Sequence, residues 1–395
     1  MFAGGAALSS ATVRAQDNTI SEAGQEIQSL LQMSRSILQI QQTELQNKIA
    51  LLQNNAQTVQ DTLLQLNQTL SALKQVIQAE QTSAASVQQS LQPIMQVLYT
   101  LDASVSCPVF AGQGTLLGED SCVWARVTGH RTDQYATDGA PGNRVDDMTY
   151  ALGGQKEFAP SWFLGGSFAA ATTWTHDDSG GTGNGQIFDG SIALKHTIGP
   201  WLFAGAIALG TTSDHHNSPP TGLPSVSSLQ SNSNAFFAGA RFRAAYDFAF
   251  ANWYVRPRAD LDIIYTHLPG FQASGQSGFA VALGGLDKIS PVMTPMVEFG
   301  GRYDIDQTTI LRPYLAVGLS IFPNNTTTTN ASLIIDGATL GTLQTSLKSS
   351  RVIGIADIGV QLYRVSGFEV KAEYDVRAAN AYLSQSVSLR GAYHF

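Results

Sequence analysis

Charge is scarce in this sequence. Lysine and arginine together number 22, and aspartate and glutamate 30, among 395 residues, so only 13% of the side chains are charged. Soluble domains carry roughly twice that share. No basic stripe or basic helix face occurs and the net charge is −8, which leaves nucleic-acid binding without an electrostatic footing. Long apolar runs are missing as well. No stretch approaches the roughly 18 uninterrupted apolar residues of a membrane helix, and the mean hydropathy is −0.02. The sequence holds no GxSxG elbow, HExxH helix, Walker loop or CxxC pair, so no enzyme and no cofactor is expected. Cysteine is limited to Cys107 and Cys122. In an exported protein, two cysteines this close read as one disulfide, restricting the unfolded chain by about 3 kcal/mol. Neither has a histidine nearby, so a metal is not expected. What remains, low charge with 37 glycines and frequent aromatics, suits a transmembrane β-barrel and a soluble β-sandwich alike.

Two periods divide the chain. From Ile20 to Leu101, glutamine, leucine, serine and threonine dominate, and apolar residues recur every seven positions, with only Glu80 out of place: Leu31, Leu38, Leu45, Leu52, Val59, Leu66, Leu73, Val87, Ile94 and Leu101. A second row on the same seam runs through Ile49, Ala56, Leu63, Leu70, Ile77, Ala84, Leu91 and Leu98. This predicts a left-handed coiled coil over 20–101, roughly 120 Å long if continuous, with Pro93 kinking or breaking its last part. So narrow a seam must be covered by a second copy, by another protein, or by the inside of something. Ahead of it, Phe2–Val13 is a small-residue apolar stretch, and Val13-Arg14-Ala15 offers the residues a signal peptidase reads; residues 1–15 are expected to be a signal-peptide remnant. Residues 102–121 form a linker carrying the cysteine loop.

From Cys122 onward the period is two. In "GFEVKAEYDVRA", Phe368, Val370, Ala372, Tyr374 and Val376 alternate with Glu369, Lys371, Glu373, Asp375 and Arg377. In "NWYVRPRADLDIIYT", Trp253 to Tyr265 alternate with Arg256, Arg258, Asp260 and Asp262, and "ILRPYLAVGLSIF" behaves likewise around Arg312. Strands of ten or more residues match tilted strands that cross a bilayer. Gaps between strands alternate. Short ones fall near Pro160, Pro200, Asn252, Gln307 and Gly367; long ones cover about 131–144, 176–186, 211–233, 267–289 and 322–348, and the last hairpin, near Asn380, is brief. Short turns on one side and longer loops on the other are the habit of outer-membrane barrels, and the parity holds through twelve strands. Phe279–Leu283 would be a thirteenth and is assigned to an outer loop. The predicted fold is a 12-stranded antiparallel up-and-down transmembrane β-barrel over 122–395, preceded by a long N-terminal helix.

The barrel reading assigns one face to lipid and the other to a hydrated lumen. The expected lumen-facing charges are Arg241, Arg243, Arg256, Arg258, Asp260, Asp262, Glu298, Arg302, Asp304, Arg312, Glu369, Lys371, Glu373, Asp375, Arg377 and Arg390. Twelve strands lie between eight, whose interior side chains fill, and sixteen, whose interior water fills; the lumen could admit one extended chain or one helix. Two polar stretches resemble reactive sites. "SDHHN", with Asp214, His215 and His216, has the groups of a metal or acid–base site, but adjacent histidines point apart in extended chain, and a solvated loop is expected. "GGTGNGQ" at Gly180–Gln186 lacks the lysine and helix of a phosphate loop and is expected to be an outer loop.

The segments "WYVRPRADLDIIYTHLPGF", "ILRPYLAVGLS", "FEVKAEYDV" and "SVSLRGAYHF", in this order and spacing, make residues 121–395 resemble the translocator barrel of autotransporters, the type V secretion proteins. The resemblance implies a twelve-strand barrel whose lumen carries an N-terminal segment, an outer-membrane location in a Gram-negative bacterium, and export of an upstream passenger. Upstream, this sequence carries the Gln-rich heptads rather than the long β-helical passenger of many members. The last strand resembles the C-terminal signal of outer-membrane proteins: Gly391, Tyr393 and Phe395 match its glycine and aromatic positions, while Leu389 sits where a polar residue is preferred. That implies recognition by the barrel-assembly machinery. The functional expectation is an outer-membrane barrel that translocates, displays or anchors its coiled coil, with lipid, the assembly machinery and a second copy or a protein partner of the coiled coil as its contacts. A periplasmic tether anchored by the barrel, and a diffusion porin, are the alternatives.

Overall fold

The structure is a computed structural model. It describes residues 33–34, 36–43, 64–68, 92–105, 107–136, 142–218, 228–275, 279–364 and 366–395. The expected signal-peptide remnant and most of the heptad stretch lie outside these residues. Residues 1–77 and 78–395 form two separate units. In the first, the described stretches 36–43 and 64–68 are helical, and Ile37, Ile40 and Leu64 are exposed.

The second unit begins, among described residues, with α1 (Gln92–Ser104), whose first turn holds Pro93. A small hairpin follows, β1 (Pro108–Phe110) paired with β2 (Leu117–Glu119). The wall then runs β3 (Cys122–Gln134), β4 (Asn143–Ala159), β5 (Trp162–Asp177), β6 (Thr182–Ile198), β7 (Trp201–Ser218), β8 (Leu229–Tyr246) with its rim continuation β9 (Phe248–Ala249), and β10 (Trp253–Leu268). Next come the hairpin β11 (Phe271–Ser274) and β12 (Phe279–Leu283), then β13 (Leu286–Gly301) with β14 (Tyr303–Asp304), and β15 (Thr309–Ile321). A second hairpin, β16 (Thr326–Ile335) and β17 (Ala338–Lys348), precedes β18 (Val352–Arg364), β19 (Phe368–Ala379) and β20 (Tyr382–His394). Twelve long strands close into an antiparallel barrel. The closing seam pairs β20 with β3 from Tyr382↔Gln134 to His394↔Cys122, so no backbone edge of the wall faces lipid.

The alternation sorts as expected of a barrel. On β10, Leu261 and Ile263 are 52% and 62% exposed on the outside, whereas Asp260 and Asp262 are each 2% exposed within. A packed sandwich would bury the apolar pair instead. Aromatics gather at the short-turn rim, where membrane-interface rings sit: Trp201 packs edge-on against Tyr246, Phe250 stacks on Trp253, and Phe368 meets Tyr393. Two inward tyrosines lie over glycines of the neighbouring strand. A Cβ at Gly300 would stand 2.2 Å from the Tyr254 hydroxyl oxygen, and one at Gly359 2.3 Å from that of Tyr314. At the β18–β19 turn, Gly367 has φ +92° and its carbonyl accepts from the His394 amide at 2.8 Å, a conformation that favours glycine.

The long gaps are shorter than the sequence suggests. Strands β5 to β8 run 16 to 18 residues, well past the 9–11 that cross a bilayer. Their outer ends pair above the membrane, where both faces can be polar. Hence Thr182–Gln186 of the glycine-rich stretch and the whole of Asp214–His216 lie in β6 and β7, not in loops. His215 is exposed beside Asn232, and His216 is buried against Asp177. Phe279–Leu283 is a strand outside the twelve: β12 pairs with β11 and β16, tying two outer loops into a small sheet beyond the wall.

Candidate functional site

The lumen is occupied by α1. Inward-facing positions of β7 are small, Ala204, Ala206 and Ala208, while Phe203, Ile207 and Leu209 face outward. The helix lies where the wall is thinnest. Val97 and Leu101 are fully buried, and they pack with Ile94 and Leu98 against these alanines, Phe237 and Ile264. Gly239 of β8 lets the helix come close: a Cβ there would stand 2.3 Å from Val97 Cγ1. The last heptad residues thus cover their seam with the inside of the barrel.

Polar contacts orient the helix. Gln96 Nε2 and Thr100 Oγ1, one turn apart, donate to the two carboxylate oxygens of Asp189 on β6 at 2.8 and 2.7 Å. The Arg377 guanidinium stands 4.2 Å from the Tyr99 ring centre. Near the helix end, Asp102 Oδ1 accepts from Arg243 Nη2 at 2.5 Å. Arg243 also grips Asp260 through two bonds of 2.7 Å, and Arg241 grips Asp262 at 2.7 and 3.0 Å. These pairs face each other across the β8–β10 register.

Among the sequence-derived charges, Arg241, Arg243, Asp260 and Asp262 form this helix-binding ladder. A second network joins Arg312, Glu298, Tyr254 and Gln361: Tyr254 donates to Glu298 at 2.5 Å, and Arg312 Nη1 donates to Gln361 at 2.5 Å. Lys371 pairs with Glu373 at 2.6 Å, and Tyr314 also donates to Glu373. Arg377 contacts Asp375 at 3.2 Å, Arg256 contacts Asp247 at 3.1 Å, and Arg258 lies 3.8 Å from Asp357. Arg390 lies 3.9 Å from Glu369 and within 3.1 Å of the Cys107 sulfur. Arg302 and Asp304 sit at the short-turn rim. Arg302 points inward, but Asp304, expected to face the lumen, is exposed: it lies at the end of β14, still paired with β15 but at the rim, where both residues of the strand meet solvent. Cys107 and Cys122 are joined by a disulfide, both buried. Gly391 and Tyr393 lie on β20, and Phe395 follows it, exposed, its amide donating to the Ser121 carbonyl at 3.0 Å.

Sequence reasoning did not single out Asp102, Asp189, Gln96, Thr100, Glu119 or Lys195. The legible clue was β7: its three alternate inward alanines, joined by Ala169 and Ala171 of β5, mark where something else fills the lumen. Among the described residues, no cluster of histidine, cysteine and carboxylate side chains could hold a metal ion. The arrangement positions a helix.

Residues 123–375 match the family described as the autotransporter beta-domain, and the chain belongs to that family. The translocator domain of the autotransporter NalP from Neisseria meningitidis superposes with a TM-score of 0.60 at 11% identity, covering 80% of this chain and 99% of that one. The beta domain of the Bordetella autotransporter BrkA gives 0.49 at 15% identity, over 70% and 100%. The transport unit of AIDA-I from Escherichia coli gives 0.45 at 14% identity, over 76% and 97%. No curated protein sequence matches. This is an autotransporter translocator barrel of the Gram-negative outer membrane.

Proposed function

We propose that the barrel holds its upstream chain at the cell surface, with α1 as the segment left in the pore once transport has ended. The direction of α1 carries this reading. Its C-terminal end leads to the Cys107–Cys122 disulfide at the first residue of β3, on the short-turn side. Its N-terminal end packs with Phe322, Ile353 and Tyr382, which belong to the long-loop side. With short turns periplasmic, a chain entering α1 comes from outside. The Gln-rich heptads upstream of α1, over 20–91, then serve at the surface, where their seam suits a second copy or a protein partner. We read the domain as non-enzymatic, and Gly391, Tyr393 and Phe395 as the contact for the assembly machinery. Protease added to intact cells tests the topology. Cleavage within 20–91 with the barrel left intact is expected; protection until the outer membrane is broken would favour the periplasmic tether.

A further inference from the structure

Beneath the helix, the β1–β2 hairpin lies across the short-turn mouth. Its contacts reach around the ring. The one hydroxyl proton of Thr115 is shared between the carbonyls of Phe250 and Trp253, which lie 2.5 and 3.0 Å from Oγ1 at the β9–β10 turn. Arg302, just after β13, donates to the carbonyls of Gly112 and Gly114 at 2.6 and 2.9 Å, and stands over the Phe110 ring. Tyr363 of β18 donates to the Pro108 carbonyl at 2.5 Å. On the opposite arc, Gln155 of β4 donates to Glu119 at 3.0 Å, and Lys195 of β6, itself fully buried, pairs with the same carboxylate. Thr115 and Leu117 are buried there.

The helix does not fill the lumen. It leans on β5 to β8 and β10. Beside it remains a cavity of about 100 Å³, whose floor includes Pro108 and Glu119 of the hairpin. Arg126 Nε, Arg258 Nε and Asp357 Oδ1 are buried around it without a protein partner, so the space is polar and suited to water. The hairpin is also bounded covalently, because the disulfide joins the residue before it to the first residue of the wall, across a sequence separation of 15. Fully extended, those residues would span roughly 50 Å; bridged, their Cα ends stand 6.6 Å apart.

We propose that this disulfide-bounded hairpin is the pore's seal: it, rather than α1, closes the periplasmic mouth to ions, and the disulfide keeps it seated. This goes beyond surface anchoring and holds whichever side the upstream chain occupies. The test is single-channel conductance of the purified full chain in planar bilayers. Wild type stays closed for most of the record. Thr115→Val combined with Arg302→Ala removes the shared hydroxyl contact of Thr115 and both carbonyl contacts of Arg302 without touching the helix seat, and raises the open time roughly tenfold or more. Arg302→Ala alone, a change at the rim, gives an intermediate rise and guards against misfolding of the double variant, with heat-modifiable migration confirming a folded barrel. Cys107→Ser with Cys122→Ser also increases opening. Folded rim variants that stay as closed as wild type would show that the helix alone seals the pore and overturn the proposal. So would a wild-type protein that already conducts at the level of the double variant.

Discussion

Asp102 Oδ1, in the last turn of the lumen helix, lies 2.5 Å from Arg243 Nη2 on the wall and 3.5 Å from Arg241 Nη1. The two arginines already hold Asp260 and Asp262 in the neighbouring strand. The wall therefore presents donors left over from its own pairing, and the helix supplies the acceptor. Asp102→Asn keeps the shape and removes the charge. Because one side of Asp102 faces lumen water, the loss is modest, about 1–2 kcal/mol. It appears as a lower temperature for loss of the compact band on gels, with the folded barrel itself retained.

Val97 occupies the space that Gly239 leaves open. Gly239→Ala places a methyl 2.3 Å from Val97 Cγ1, and valine has no flexible end with which to yield. Overpacking of this kind costs about 1–3 kcal/mol. Combining it with Val97→Ala removes the clashing methyls, so the double variant should be more stable than the sum of the two single changes predicts. Protease sensitivity of 92–104 in detergent, measured for all four proteins, checks the coupling. Simple additivity would place the helix elsewhere.

The wall was readable because lipid and lumen impose opposite demands on alternate residues. Leu261 and Ile263 against Asp260 and Asp262 is that demand written out. Above the membrane the outer face is polar as well as the inner one, so the period-two contrast fades. For this reason His176–Asp177, Thr182–Gln186 and Asp214–His216 look like loops although they are paired strand. The hairpin over Pro108–Glu119 was hidden for another reason: its strands have three residues each, too few to show any period, and its contacts come from residues far along the chain. The partners of the helix, Asp189 and Arg243, stand 89 and 141 residues from Thr100 and Asp102. Only closure of the barrel brings them together, so no local spacing announces them.

Lipid exposure makes a quantitative prediction. Ile263 is 62% exposed on the apolar outer band. Ile263→Arg should weaken the folded barrel by about 2–4 kcal/mol if the site is near the bilayer midplane. Thr266→Ser, on the inward face of the same strand, should change little. Urea unfolding in lipid vesicles checks both. An arginine tolerated at 263 without loss would mean that this face does not meet hydrocarbon.

Phe395 separates recognition from stability. Its ring lies outside the wall, 6.5 Å from that of Tyr393, and the amide bond to Ser121 is made by backbone alone. Phe395→Ser therefore removes little from the folded barrel: purified from inclusion bodies, it should refold in detergent to the same heat-modifiable species at nearly wild-type yield. In cells, if the aromatic end is what the assembly machinery reads, the same variant should accumulate unfolded in the periplasm, with several-fold less barrel in the outer membrane. A parallel loss in both settings would assign Phe395 to stability instead. Normal assembly in cells would remove Phe395 from the recognition signal altogether.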